Sequence, residues 1–157
     1  MSLTFLVGFP GAGKTTALKN WPVPLGNHVI ICPDEFRLAI TGQRFYGPAE
    51  EAVRFAVKAA IRVFLAQEKT VIVDGTFLTR GQRVQWVRMA KEAGVSCSCI
   101  WINTPFEVCF ERNKQRVAVV PDNVMESMRE RFEEPDPNTE GFELITLHTH
   151  PEQTAER

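Results

Sequence analysis

The stretch Gly8-Phe9-Pro10-Gly11-Ala12-Gly13-Lys14-Thr15-Thr16 lies between an apolar run and a run compatible with a helix. It fits the pattern G-x-x-x-x-G-K-[ST], with Lys14 and Thr15 at the positions that the pattern fixes. A strand over 3–7 before the loop and a helix over 15–20 after it are the context in which this pattern forms a phosphate-binding loop. An ordinary glycine-rich turn, the alternative, explains neither the full pattern nor its context.

The chemistry that such a loop supports is the capture of nucleotide phosphates. Its glycines let successive backbone N–H groups point inward as an anion nest, and the N-terminus of the following helix adds partial positive charge. The pattern's lysine reaches the β- and γ-phosphates of ATP, and its threonine hydroxyl holds Mg²⁺. We therefore expect ATP and Mg²⁺ as ligands, with Thr15 as the metal ligand. The predicted ATP-binding residues of the loop are Gly8, Pro10, Gly11, Ala12, Gly13, Lys14, Thr15 and Thr16.

The composition is typical of a single globular domain over residues 1–157. The chain is 44% hydrophobic, which allows a sizeable core. Its net charge of −1 provides no bulk basic field, so any contact with nucleic acid has to be local. The four cysteines lack a CxxC pair, which favours small buried thiols in a reducing cytosol. Because neither a signal peptide nor an apolar run of ~20 residues is found, we expect a cytoplasmic protein without a membrane span.

Short β-rich runs alternate with helical patterns along the rest of the chain. Beyond the first strand, such runs cover 29–32, 70–73, 95–102 and, more weakly, 142–147. The alternation predicts an α/β fold in which a five-stranded parallel sheet is covered by helices on both faces. Residues 133–141 are typical of a loop, and 148–157 of a loose tail. His148 and His150 in that tail favour plain surface residues over a metal site.

Helix signals fill the intervals between these strands. Thr79 starts a capping box, Thr104 is followed by a proline and a glutamate typical of a helix start, and Asn123 can cap a later helix. The longest predicted helix spans about 48–67 and carries a basic stripe of Arg54, Lys58 and Arg62 at four-residue spacing. Such a stripe favours a solvated helix face, with a nucleic-acid groove as the alternative.

Asp34 is the candidate for the group that activates an acceptor hydroxyl. It ends the second strand, and ligands of open parallel sheets collect at the carboxyl ends of strands. A kinase needs a carboxylate there to accept the proton of the attacking hydroxyl. Arg37 lies one helical turn further on the same face and can hold an anionic acceptor. The alternatives are an N-capping Asp34 beside an incidental arginine, and Glu35 as the active carboxylate.

Two further sets of polar residues extend this candidate site. Asp74 ends the third strand, where it can support Mg²⁺ through water, orient an arginine or simply cap the next turn. Arg112 and Arg116 are four residues apart, so we expect them on one helix face, aimed at the triphosphate before a loop that closes over it. A solvated basic face is the alternative. A Ras-like GTPase is excluded, because Asn113-Lys114 is not followed by the aspartate of N-K-x-D.

Together these residues resemble the kinase domain of phage T4 polynucleotide kinase and its bacterial relatives. The resemblance covers about residues 3–132 and is carried by the phosphate loop and by the stretches 34–37, 73–76 with Arg80 and Arg83, and 112–121. It implies an adenylate-kinase-like P-loop fold and ATP-dependent phosphorylation of a 5′-hydroxyl on DNA or RNA, as in nucleic-acid repair. The stretch Asp74-Gly75-Thr76 departs from the aspartate-threonine-asparagine sequence of that family.

The resemblance also implies roles for individual residues. Asp34 is the general base, Arg37 binds the 3′-phosphate of the acceptor, and Arg116 with Arg112 contacts the ATP phosphates. The candidate catalytic residues are Lys14, Asp34 and Arg116, and those for acceptor binding are Asp34, Arg37 and Asp74. The alternatives are a small-molecule or toxin-like kinase acting on a nucleoside, sugar or antibiotic, and a nucleotide-binding switch or ATPase subunit. Asp34 and Arg37 argue against the switch, since it has no acceptor.

Overall fold

One parallel sheet organises the computed structural model, which describes residues 1–20, 27–44 and 46–148. Within these ranges the strands are β1 (Ser2–Val7), β2 (His28–Ile31), β3 (Thr70–Val73), β4 (Ser96–Asn103) and β5 (Glu143–His148). They lie in the order β2-β3-β1-β4-β5, and every adjacent pair is parallel. The predicted α/β fold of the adenylate-kinase-like P-loop type is therefore confirmed.

Helices cover both faces of this sheet. In the described residues they are α1 (Lys14–Lys19), α2 (Pro33–Thr41), α3 (Glu50–Ala66), α4 (Arg80–Glu92), α5 (Phe106–Lys114), α6 (Asp122–Glu130) and α7 (Pro137–Glu140). The predicted long helix is divided, because a 3-10 turn over Gly47–Ala49 precedes α3. No helix within the described ranges combines the length and apolar character that crossing a membrane takes.

Two apolar cores flank the sheet because neighbouring residues of a strand point to opposite faces. On one face Phe5 packs in a core with Val57 of α3 and Trp86 of α4. On the other face Leu6 packs in a core with Cys109 of α5 and Met125 of α6. At the C-terminal ends of β1, β2 and β3 lies a cleft, which is bordered by α1, α3 and α4 and contains the phosphate loop.

The capping box at Thr79 is confirmed, since Thr79 and Gln82 exchange both hydrogen bonds at the start of α4. The prediction that Thr104 caps α5 is wrong. Pro105 occupies the cap position, and the Thr104 hydroxyl donates instead to the backbone oxygen of Ala12 at 2.8 Å. Asn123 is not a cap either, because α6 starts one residue earlier, at Asp122. In both cases the preceding proline takes the cap position, and its fixed φ suits the entry to a helix.

The predicted loop over 133–141 contains the short helix α7, and an internal ion pair explains why. Arg83 of α4 is fully buried and makes two hydrogen bonds of 2.8 Å to Glu140 of α7. Its remaining nitrogen donates to the backbone oxygens of Phe77 and Glu133 at 3.2 and 2.9 Å. Arg83 therefore holds the 133–141 segment against α4. His148 ends β5 rather than starting the tail, and residues 149–157, His150 included, lie outside the described residues.

Candidate active site

The phosphate loop turns sharply between β1 and α1, and two glycines make the turn possible. Gly11 and Gly13 have φ values of +84° and +100°, which residues with a side chain rarely adopt. A Cβ on Gly11 would lie 2.5 Å from the backbone oxygen of Cys109, so the loop is packed directly against α5. The Gly8 N–H donates to the Thr76 backbone oxygen at 3.2 Å and ties the loop to the end of β3.

Lys14 folds over the loop that precedes it. Its ammonium nitrogen Nζ donates to the backbone oxygens of Gly8 and Phe9 at 2.8 and 2.9 Å. The loss of hydration in this setting lowers the pKa of Lys14 to about 8, while the negative charge of Asp74 opposes the shift and the positive charge of Arg116 adds to it. A bound polyphosphate would favour the charged ammonium, so nucleotide binding and the protonation of Lys14 are coupled.

Asp74 immediately follows β3, as predicted, and hydrogen bonding within the sheet fixes its position. Its N–H donates to the Ile31 backbone oxygen at 2.9 Å, which continues the β2–β3 ladder by one residue. Burial raises the pKa of Asp74, the charge of Lys14 lowers it, and that of Asp34 raises it further. The three charged groups therefore lie close enough at the carboxyl edge of the sheet to influence one another.

Asp34 lies in the first turn of α2 rather than at the end of β2. Its side chain remains 62% exposed, while Arg37, one turn later, retains only 13%. Nη1 of Arg37 donates to Oδ1 of Asp34 at 2.5 Å, as the spacing of three residues predicts. The carboxylate is thus oriented from one side and open to the cleft on the other.

Glu50, at the start of α3, was not identified from the sequence. Both of its carboxylate oxygens accept hydrogen bonds from Arg37: Oε2 from Nη2 at 3.0 Å, and Oε1 from Nε. These bonds raise the pKa of Arg37 and lower that of Glu50, so both groups stay charged. The chain therefore joins α2 to α3 through a two-pronged ion pair that also orients Asp34.

Arg112 and Arg116 do not share a helix face, because α5 ends at Lys114 and Arg116 lies beyond it. Asn113, near the end of α5, fixes the loop that follows the helix. It is fully buried, its amide nitrogen Nδ2 donates to the Val120 backbone oxygen at 2.7 Å, and its Oδ1 accepts from the Val120 N–H at 3.1 Å. This pair of bonds closes the 114–119 loop and brings Arg116 to the same cleft as Arg112.

A single continuous cleft contains these groups. The predicted site residues that line it are Pro10, Gly11, Ala12, Gly13, Lys14, Thr15, Thr16, Asp34, Arg37, Asp74, Arg112 and Arg116. Arg44, Glu50, Arg54 and Lys58 also line it and were not among the predicted site residues. The lining carries seven lysine and arginine side chains against four carboxylates, although the whole chain has a net charge of −1. The cleft therefore concentrates positive charge and suits an anionic ligand.

The residues present fit Mg²⁺ bound together with a nucleotide. Thr15, in the first turn of α1, is exposed and lines the cleft, and Asp74 supplies a carboxylate in the same cleft. Within the described ranges, no group of three or more histidine, cysteine and acidic side chains could hold a metal by itself. Mg²⁺ keeps several waters and takes most of its other ligands from phosphates, so a hydroxyl and a carboxylate suit it.

Comparison with known proteins supports the P-loop fold and a family of kinases. A family model described as an AAA domain matches residues 3–135. The chain is 27% identical over 138 residues to an L-seryl-tRNA(Sec) kinase of Methanococcus maripaludis, covering 85% of this chain and 53% of that protein. It is 26% identical over 145 residues to a bifunctional polynucleotide phosphatase/kinase of Schizosaccharomyces pombe, covering 89% and 31%. The chain thus spans about half the length, or less, of these relatives.

A solved structure gives the same result for the backbone. The chain superposes on a chain of the Pnkp1/Rnl/Hen1 RNA repair complex with a TM-score of 0.70 and 24% identity, covering 84% of this chain and 46% of the other. At that identity the likeness establishes the fold alone.

Proposed function

The chain belongs to the AAA-domain family of P-loop kinases, and on that premise we propose that it transfers the γ-phosphate of ATP to the 5′-hydroxyl of DNA or RNA. The observation that carries the proposal is Asp34, which Arg37 orients in the same cleft as the phosphate loop. A nucleotide-binding switch has no use for an oriented carboxylate on the acceptor side. The similarity to a polynucleotide phosphatase/kinase supports a nucleic-acid acceptor.

The proposed reaction is an in-line displacement on the γ-phosphorus. The acceptor's 5′-oxygen forms a bond to phosphorus, the bond from phosphorus to the bridging oxygen of ADP breaks, and the hydroxyl proton passes to a carboxylate oxygen of Asp34. Thr15 would hold Mg²⁺ together with the phosphates, and the ion would supply positive charge beside the transferring group. Asp34 suits the acceptor side because its carboxylate is exposed to the cleft and fixed by Arg37.

Positive side chains supply the electrostatic part of the proposal. Lys14, at the phosphate loop, pairs with the β- and γ-phosphates once its ammonium leaves the backbone oxygens of Gly8 and Phe9. Arg112 and Arg116 approach from the α5 side of the cleft. Their planar guanidinium groups suit the phosphoryl oxygens, on which charge is spread during transfer.

Arg37 has two proposed functions at the acceptor. Through Nη1 it holds Asp34, and through the N–H of Nη2 that Glu50 does not use it can donate to the phosphate on the 3′ side of the reacting nucleotide. That phosphate is present in any polynucleotide and absent from a free nucleoside or sugar. A preference for 3′-phosphorylated acceptors is therefore the property that distinguishes the proposal from a small-molecule kinase.

The test compares a nucleoside 3′-phosphate with the matching nucleoside as acceptors of labelled phosphate from ATP. Wild type should give the higher kcat/KM with the 3′-phosphate. Arg37→Ala should be slow with both acceptors, because Asp34 loses its partner, and should also lose the preference. Arg37→Lys should restore part of the preference, since lysine keeps the positive charge but cannot contact Asp34, Glu50 and the phosphate at once with the fixed geometry of a guanidinium. Equal use of both acceptors by wild type would contradict the proposal.

One rival acceptor has its own support. The L-seryl-tRNA(Sec) kinase to which this chain is similar acts, by its name, on a serine carried by tRNA. Seryl-tRNA and the uncharged tRNA with a 5′-hydroxyl end should therefore be included among the acceptors. Label on the aminoacyl group, released by mild base, would favour the rival, whereas label at the 5′ end would favour the proposal.

A further inference from the structure

The basic stripe of α3 is divided by the fold into two parts. Arg54 and Lys58 line the cleft, whereas Arg62 lies outside it and pairs with Glu92 of α4 at 3.8 Å. Among the described residues neither Arg54 nor Lys58 has a carboxylate within ion-pair distance. If the stripe served only to solvate α3, we would expect all three side chains in the same setting.

Arg54 and Lys58 lie progressively further along α3 from the proposed point of reaction. Glu50, which binds Arg37, is followed on the same face of α3 by Arg54 and Lys58 at intervals of four residues. Each interval advances ~6 Å along a helix, a step that successive phosphates of a nucleic-acid strand can match. The cations therefore form a line that starts beside the proposed site of the first acceptor phosphate.

The opposite wall of this part of the cleft adds no negative charge. The residues of α4 that line it are Gly81, Gln82, Gln85 and Trp86. Val53, Val57 and Trp86, at the base of this part of the cleft, are at most 3% exposed and belong to the apolar core, so they offer a ligand almost no surface. A groove with cations along one edge and amides along the other suits a chain of regularly spaced phosphates. A sugar or a free nucleoside would leave most of it unused.

We infer that the branch of the cleft between α3 and α4 binds the acceptor strand on the 3′ side of the reacting nucleotide, with Arg54 and Lys58 each pairing with a backbone phosphate. This inference rests on the proposed function and specifies its substrate as a strand that continues for at least two phosphates beyond the one proposed for Arg37.

The test measures how affinity for an oligonucleotide depends on salt. Fluorescence anisotropy follows the binding of a single strand of about eight nucleotides with a free 5′-hydroxyl and a dye at its 3′ end. Each phosphate contact contributes about 0.7 to the slope of log affinity against log salt, so the double variant R54A/K58A should lose about 1.4. At about 0.05 M salt its affinity should fall roughly 10- to 60-fold. R54K/K58R should keep the wild-type slope, because both charges remain.

Arg62→Ala is the matched control, because Arg62 belongs to the same stripe and lies outside the cleft. It should leave the salt slope unchanged. The inference is overturned if R54A/K58A keeps the wild-type slope, or if Arg62→Ala reduces the slope as much. Arg54→Gln and Lys58→Gln, measured singly, repeat the test with polar replacements of similar length.

The kinetic readout separates this inference from the proposed function. In R54A/K58A, the ratio of kcat/KM for the oligonucleotide to kcat/KM for a nucleoside 3′-phosphate should fall. If wild type uses a nucleoside 3′-phosphate and gains nothing from a longer strand, only the inference fails. If wild type phosphorylates neither acceptor and uses a non-nucleotide one, the proposed function fails and the inference with it.

Discussion

ATP binding should take up protons near pH 8, because Lys14 has a pKa of about 8. In the protein without nucleotide, about half of the Lys14 side chains are then neutral, against about a tenth at pH 7 and nine-tenths at pH 9. The phosphates of ATP favour the ammonium form, so binding restores the missing charge. We expect an uptake of about half a proton per ATP at pH 8.

Titration calorimetry in buffers of different ionisation enthalpy measures this uptake directly. Lys14→Arg is the control, since a guanidinium stays charged throughout this range and should take up no proton. An uptake near zero at pH 8 in wild type, or an equal uptake in Lys14→Arg, would refute the reasoning. The lowered pKa of Lys14 also predicts how the stability of the fold depends on pH. Because the unfolded lysine has the higher pKa of 10.5, the free energy of unfolding should rise with pH between about 8 and 10.5.

Three further substitutions test the scaffold and the proposed chemistry. Arg83→Met leaves the buried Glu140 carboxylate unpaired, so chemical denaturation should show a loss of about 3–5 kcal/mol, and a loss below about 1 kcal/mol would contradict the structural role. Gly11→Ala should weaken ATP binding more than Gly13→Ala, because only Gly11 has a backbone oxygen 2.5 Å from the added Cβ; equal dissociation constants would contradict this. Arg116→Ala should lower kcat by up to ~10³-fold with little change in the KM for ATP, whereas a change confined to KM would indicate ground-state binding.

The sheet could be predicted because its signals are local. Each strand is an apolar run bounded by turn residues, and the phosphate loop fixes how the first strand meets the first helix. The predicted third strand, 70–73, matches β3 at both ends, and the other strands differ by one residue at one or both ends. The position of Asp74 at the carboxyl edge of the sheet follows from the same reasoning, since parallel strands end together.

What failed depended on partners far along the chain. Thr104 has the local sequence of a cap, yet its hydroxyl bonds to Ala12, 92 residues away. Glu50 is 13 residues from Arg37, and no spacing rule relates an arginine on one helix to the first turn of the next. Arg116 was assigned to a helix because propensity alone does not show where α5 ends. The buried amide of Asn113, which closes the following loop, is visible only in three dimensions.

The basic stripe shows the same limit at the candidate site. Its spacing predicts that Arg54, Lys58 and Arg62 share a face, and it cannot tell which part of that face borders a cleft. The tertiary structure decides this, because Arg54 and Lys58 line the cleft whereas Arg62 lies beside Glu92 of α4. The predicted solvated face fits Arg62, and a nucleic-acid contact of Arg54 and Lys58 stays a proposal.

Transfer of labelled γ-phosphate from ATP to a 5′-hydroxyl oligonucleotide tests the central claim most directly. Wild type should place the label at the 5′ end, in competition with a nucleoside, a sugar and seryl-tRNA in the same reaction. Asp34→Asn should abolish transfer and keep ATP binding, because it removes the proton acceptor and leaves the phosphate loop intact. Label found only on an acceptor other than the 5′ end, or full activity of Asp34→Asn, would contradict the account.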